Sequence, residues 1–132
     1  MSERPIIAVT MGDPCGIGPE VVARAMAHPD LRELCSPLAI GNTAVIRDIV
    51  ARLGIGLTVR EAAWPGDAQS PENSIAVLDP HNLDIHAIML GQVSADAGKA
   101  AMEWVELAAQ LCLSGDVQAM ATAPINKEAS VL

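Results

Sequence analysis

Apolar positions fall into short runs that switch between two spacings along the chain. Ile6, Ile7, Ala8 and Val9 form an unbroken apolar run closing at Thr10, followed at once by Gly12, Asp13 and Pro14. A continuous run of that length, ended by turn residues, predicts a buried strand entering a tight loop. Pro19 then stands where a first helical turn would begin, with Glu20 placed to complement the positive end of the peptide dipoles. Val21, Val22, Ala25 and Met26 supply an apolar stripe until His28-Pro29, where the helix is expected to stop.

The alternation then repeats. Residues 37–40 read as a strand, Gly41-Asn42-Thr43 as a turn and cap, and residues 44–53 as a helix closed by Gly54. Another short strand is expected at 57–59. From 61 to 73 the chain turns to Pro, Gly, Asp, Gln and Ser, the chemistry of an exposed loop, and 75–78 resumes a strand pattern. Ser94 is a good N-cap for the clearest helix, 94–113. Its apolar positions Ala97, Ala100, Ala101, Trp104, Val105, Ala108, Leu111 and Cys112 carry core spacing, which assigns Trp104 and Met102 to packing. Beyond Gly115, residues 117–122 read as a buried strand. Ala123-Pro124 forces a loop, and Asn126-Lys127-Glu128-Ala129 starts another helix.

Strands alternating with helices, mostly without hairpin turns between strands, predict an α/β fold. The expected form is a three-layer sandwich in which a mostly parallel sheet is covered on both faces. Such sheets gather ligands at the carboxyl ends of their strands, where the loops around 11–19 and 123–127 would lie.

Composition narrows the picture. With 132 residues, 51% hydrophobic and 18% charged, the chain suits one globular domain and leaves no room for a second full one. Two Trp and no Phe or Tyr mean a core of small aliphatic side chains. A formal charge of -8 gives no attraction to nucleic acid or to anionic membranes, so neither is an expected partner. Cys15, Cys35 and Cys112 are too widely spaced for a disulfide framework or a paired-cysteine zinc site. No apolar run reaches the length of a signal core or membrane span, which leads us to expect a cytoplasmic protein.

Three places could carry chemistry. Gly12, Gly16 and Gly18 lie within seven residues ahead of a helix start whose unpaired amides favour an anion, with Asp13 and Glu20 beside them. The spacing is neither a Walker loop nor the usual dinucleotide fingerprint, and a purely structural turn explains it equally well. Lys127 could reach a phosphate or carboxylate, or could be a solvated helix-start lysine. Asp79, His81, Asp84 and His86 cluster in sequence, though two histidines on a polar loop are more often solvated than metal-bound, so no metal ligand is assigned. Cys15 has no histidine in its motif to act as base and reads as a spacer.

The segments Thr10-Met11-Gly12-Asp13-Pro14-Cys15-Gly16-Ile17-Gly18-Pro19-Glu20, Gly91-Gln92-Val93-Ser94, Ala97-Gly98-Lys99-Ala100-Ala101 and Thr122-Ala123-Pro124-Ile125-Asn126-Lys127-Glu128-Ala129 together resemble the 4-hydroxythreonine-4-phosphate dehydrogenase family, in its order and spacing. The Met-Gly-Asp-Pro and Thr-Ala-Pro-Ile-Asn-Lys forms are most similar to its 4-phospho-D-threonate and 4-phospho-D-erythronate dehydrogenase branch. This resemblance implies the first domain of an isocitrate/isopropylmalate dehydrogenase-like fold, occupying residues 1–132 and incomplete. It also implies a homodimer in pyridoxine biosynthesis that binds substrate between two domains. The implied reaction is NAD-dependent oxidation of a 4-phosphorylated hydroxy acid, then decarboxylation assisted by a divalent metal. Lys127 would be the catalytic contact to substrate, with Thr122 and Asn126 beside it and Gly12, Asp13, Gly16, Gly18 and Glu20 shaping the cleft. Family members continue past the position of Leu132 into a Gly-His-Thr motif and three metal-binding histidines, so His28, His81 and His86 inherit no metal role. A non-catalytic fragment or binding module with the same fold is the competing expectation.

Overall fold

The computed structural model describes residues 4–69, 73–89 and 91–125. Strand β1 (Ile6–Thr10) leads into α1 (Gly18–Ala27) and α2 (Pro29–Leu34), then β2 (Ser36–Ile40), α3 (Thr43–Arg52) and β3 (Thr58–Glu61). A short 3-10 turn (Pro65–Gln69) precedes β4 (Ser74–Leu78), and a second (Ile85–Ala87) precedes α4 (Ala95–Ser114) and β5 (Ala119–Thr122). The five strands form one sheet in the order β3-β4-β2-β1-β5, and every pairing is parallel. The α/β sandwich expected from the alternation is therefore the observed fold.

Position in the sheet accounts for the composition of each strand. β2 lies between β1 and β4 and is buried at all five positions, which is why it carries no charged residue. Pro37 lies in this inner strand without breaking a ladder, because pairing with β4 starts only at Leu38. β5 pairs with β1 at the edge of the sheet and has no buried position, so the buried strand expected at 117–122 is corrected to a shorter, mostly exposed one. Val117, just before it, is the buried residue of that segment.

The crossovers set the layers. β1 to β2 and β2 to β3 step the same way along the sheet, and α1 and α3 pack against each other. β4 to β5 steps the opposite way, so the right-handed rule puts α4 on the other face, against β1 and β5. Between β3 and β4 no α-helix forms among the described residues. The segment expected as an exposed loop instead lays its 3-10 turn against β2, β1 and β4 and buries Ala62.

The helix stop expected at His28-Pro29 holds for α1, but one further helix follows it and two helix faces need correction. Pro29 starts a helix rather than only ending one: it occupies the first turn of α2, while the His28 ring accepts a hydrogen bond from Asp30 N at 3.2 Å. In α1 the inward face is Gly18, Pro19, Val22, Ala23 and Met26, so Val21 and Ala25 point outward. In α4 the buried face is Ala97, Gly98, Ala100, Ala101, Trp104 and Ala108, and Met102 turns to solvent. Those small residues let α4 lie close to the sheet, leaving Trp104 to fill the remaining space. Its ring is fully buried, and its N–H donates to Asn82 Oδ1 at 2.9 Å. No described helix is long and apolar enough to cross a membrane.

Candidate functional site at the carboxyl edge

Both loops singled out by the sequence emerge from neighbouring strands, β1 and β5, and are stitched together. Ala123 N donates to Thr10 O at 3.0 Å, and Asp13 N donates to Pro124 O at 3.0 Å. Met11 N reaches across to Ile40 O at the end of β2, at 2.9 Å. Gly12 has φ of 73°, and a Cβ there would sit 2.4 Å from Pro124 O. At Gly18 a Cβ would sit 2.2 Å from Met11 O. These two glycines therefore let backbone pack on backbone within the fold. Gly16 differs: it is exposed, and a Cβ would come no nearer than 3.5 Å to Asp13 Oδ2.

Asp13 is buried and serves its own loop, Oδ1 accepting from Cys15 N at 2.9 Å. The Cys15 thiol is pushed above its ordinary range, first by burial and then by the charge of Asp13. Its thiolate is disfavoured, in keeping with a spacer. The Cys15 carbonyl accepts from Gly91 N at 2.8 Å, which draws the segment ahead of α4 to the same edge. Glu20 is exposed and pairs with Arg24 at 3.5 Å. Ile17, the residue ahead of α1, gives the helix no side-chain cap, and Pro19 in the first turn has no amide hydrogen to satisfy. Thr122 ends β5 and is exposed. Asn126 and Lys127 lie outside the described residues.

A second grouping sits where the loop after β2 leads to α3 and the loop after β4 leads to α4. Asp79 Oδ2 accepts from Thr43 N at 2.9 Å, its Oδ1 accepts from His81 N at 2.7 Å, and its side chain is only 4% exposed. His81 takes a left-handed backbone with φ of 57°. Its Nε2 pairs with Glu61 Oε1, and its Nδ1 lies 3.9 Å from Asp79 Oδ2. The sequence grouped Asp79 and His81 with Asp84 and His86. Instead Asp84 Oδ1 accepts from His86 N at 2.9 Å in a separate turn, and Glu61 takes their place. Glu61 was invisible to spacing because only the β3–β4 register, which sets it opposite Val77, brings it near.

A parallel sheet whose motif-bearing loops meet at the carboxyl edge defines the class: an open-sheet α/β protein with its candidate site beyond the strand ends. Residues 33–131 match the family described as pyridoxal phosphate biosynthetic protein PdxA, and the chain belongs to that family. It is 39% identical over 129 residues to a Symbiobacterium thermophilum protein named as a D-threonate 4-phosphate dehydrogenase, covering 98% of this chain and 38% of that one. It is also 39% identical over 127 residues to a 4-hydroxythreonine-4-phosphate dehydrogenase of Trichlorobacter lovleyi, covering 96% and 38%. Among solved structures, a 4-hydroxythreonine-4-phosphate dehydrogenase from Burkholderia phymatum superposes with a TM-score of 0.90 at 33% identity, over 98% of this chain and 39% of the other. The family resemblance drawn from the motifs is thus correct, and the family is one of oxidoreductases by the names of its members. The chain spans about 38% of the length of these curated relatives.

Proposed function

We propose that this chain forms the first α/β domain, residues 1–132, of an NAD-dependent dehydrogenase acting on a 4-phosphorylated hydroxy acid such as 4-phosphohydroxy-L-threonine or 4-phospho-D-threonate. The observation that carries this reading is the stitching of the 11–18 loop to Ala123-Pro124, which joins both motifs into one wall beside the uncapped start of α1. Exposed Gly16 and Ile17 fit a phosphate group at that helix end. Of the nearby carboxylates, Glu20 is paired with Arg24, and Asp13 is turned into its own loop, where Oδ1 accepts from Cys15 N.

In this reading Lys127 and Asn126 hold substrate phosphate or carboxylate, and the Thr122 hydroxyl adds a hydrogen bond from the end of β5. Gly12, Gly18 and Asp13 keep the cleft wall in shape, and Gly16 leaves room for the ligand. When bound, NAD accepts the hydride from the carbon that bears the secondary alcohol. The decarboxylation that follows belongs with the family's divalent metal, whose three histidines have no counterparts among the matched motifs of this chain. The same reading makes the protein a cytoplasmic homodimer.

NADH formation on the two substrates tests it. The assay compares this chain with a chimera in which the remaining length of the Trichlorobacter lovleyi relative follows residue 132. Turnover by the chimera is expected, with K127A lowering kcat/KM about tenfold or more, the usual weight of a hydrogen bond to a charged group. A folded chimera without turnover, or an unchanged kcat/KM in K127A, would overturn the reading in favour of a binding module.

A further inference from the structure

Outside the wall just described, one cluster converges from two chain segments, the end of β3 and the loop after β4. We propose that Glu61, Asp79 and His81 bind a divalent transition-metal cation, one imidazole and two carboxylates supplying the first three ligands. Their donor atoms all lie within 4.8 Å of one another. Ligands about 2.0–2.2 Å from one ion stand roughly 3 Å apart, so only a small closing movement is required. An imidazole with two carboxylate oxygens suits ions such as Mn2+ or Zn2+ rather than the all-oxygen shell of Ca2+.

Two observations independent of the cluster point the same way. Thr43 is only 7% exposed, and its Oγ1 has no hydrogen-bond partner among the described residues. Buried hydroxyls are rarely left so, and an unpaired one signals a water or ligand within reach. Thr43 is also the residue whose amide holds Asp79 Oδ2, so the unpaired hydroxyl belongs to a residue in direct contact with the cluster. The second observation is topological. β2 and β4 are neighbours whose following helices lie on opposite faces, and this is the point where open parallel sheets part to admit ligands.

The cation would tie the end of β3, at the edge of the sheet, to the end of β4 and the start of α3. Asp79 is the anchored ligand, fixed by two backbone amides. Glu61 and His81 are 43% and 70% exposed and remain adjustable. This site does not depend on the proposed dehydrogenase activity.

Mn2+ titration of the chelator-washed 132-residue chain, followed by the electron paramagnetic resonance of unbound Mn2+, tests the proposal. Uptake should saturate at one ion per chain. E61Q and H81N should each weaken it about tenfold or more, and H86N should leave it unchanged. H81N is chosen because Asn tolerates the left-handed backbone, so the fold is kept. Circular dichroism verifies this, and a melting temperature raised by Mn2+ in the parent chain but not in H81N gives a second readout. No saturable uptake by the parent chain would leave Glu61 and His81 as an ion pair alone and overturn the site. Equal uptake by the parent chain, E61Q and H81N would mean diffuse binding to an acidic surface and would overturn it too.

Discussion

Gly12 and Gly18 are constrained by backbone, whereas Gly16 is not. A methyl group at Gly12 meets Pro124 O at 2.4 Å in a backbone with positive φ, and one at Gly18 meets Met11 O at 2.2 Å. Neither obstacle is the end of a flexible side chain, so the loop itself must move. We expect G12A and G18A each to cost about 1–3 kcal/mol, and G16A to fall near zero, in the midpoint of urea denaturation. Equal costs at all three positions would mean that helix and loop propensity, not close packing, governs this loop. The sequence marked all three glycines but gave no ground for separating them, because what distinguishes Gly12 is a carbonyl from the far end of the chain. Glu61 was hidden for the same reason. Residues brought together by strand pairing carry no local signature, whereas Asp13, whose partner Cys15 is two positions on, sits in a motif that could be read directly.

Helices were legible where their signals are local. Ser94 caps α4 through Ala97 N at 3.2 Å, and Asn42 caps α3 through Val45 N at 3.0 Å, both as their residue types predict. Gly115 closes α4 with φ of 84°. The errors came from signals with two meanings. Pro29 reads as the stop of α1, which does end at Ala27, but it also opens α2, a helix not expected from the sequence. Apolar Val21 matches the period of α1 but lies off its buried face, since three of that face's five residues are Gly18, Pro19 and Ala23. Asn42 offers the cleaner test of an element, because α3 begins at the carboxyl edge where Asp79 also binds its amide at Thr43. N42A should lower stability by about 1 kcal/mol in denaturant midpoint, leaving the far-UV spectrum unchanged. A loss well above that figure would show that Asn42 and Asp79 hold the helix start as a coupled pair.

At the scale of the whole molecule, alternation of strands and helices was enough for a parallel α/β sandwich, since parallel neighbours need crossovers and crossovers are where helices lie. The order β3-β4-β2-β1-β5 was not readable, because the strands are short, apolar and nearly interchangeable in composition. Its consequence is that α4 must span from β4 to β5 across the sheet and carry the edge strand with it. Trp104 fastens that crossover: its ring is fully buried, and its N–H is bonded to Asn82 in the segment after β4. Because the chain has no Tyr or Phe and Trp64 is 62% exposed, W64F leaves Trp104 as a single internal reporter of this contact. In W64F, loss of the Trp104 emission should coincide with loss of helical circular dichroism along a urea titration, one cooperative transition for sheet and crossover together. Trp104 becoming accessible to a quencher at lower urea would mean that α4 and β5 detach as a separate unit. The wall that Pro124 forms with Gly12 would then open before the rest of the sheet unfolds.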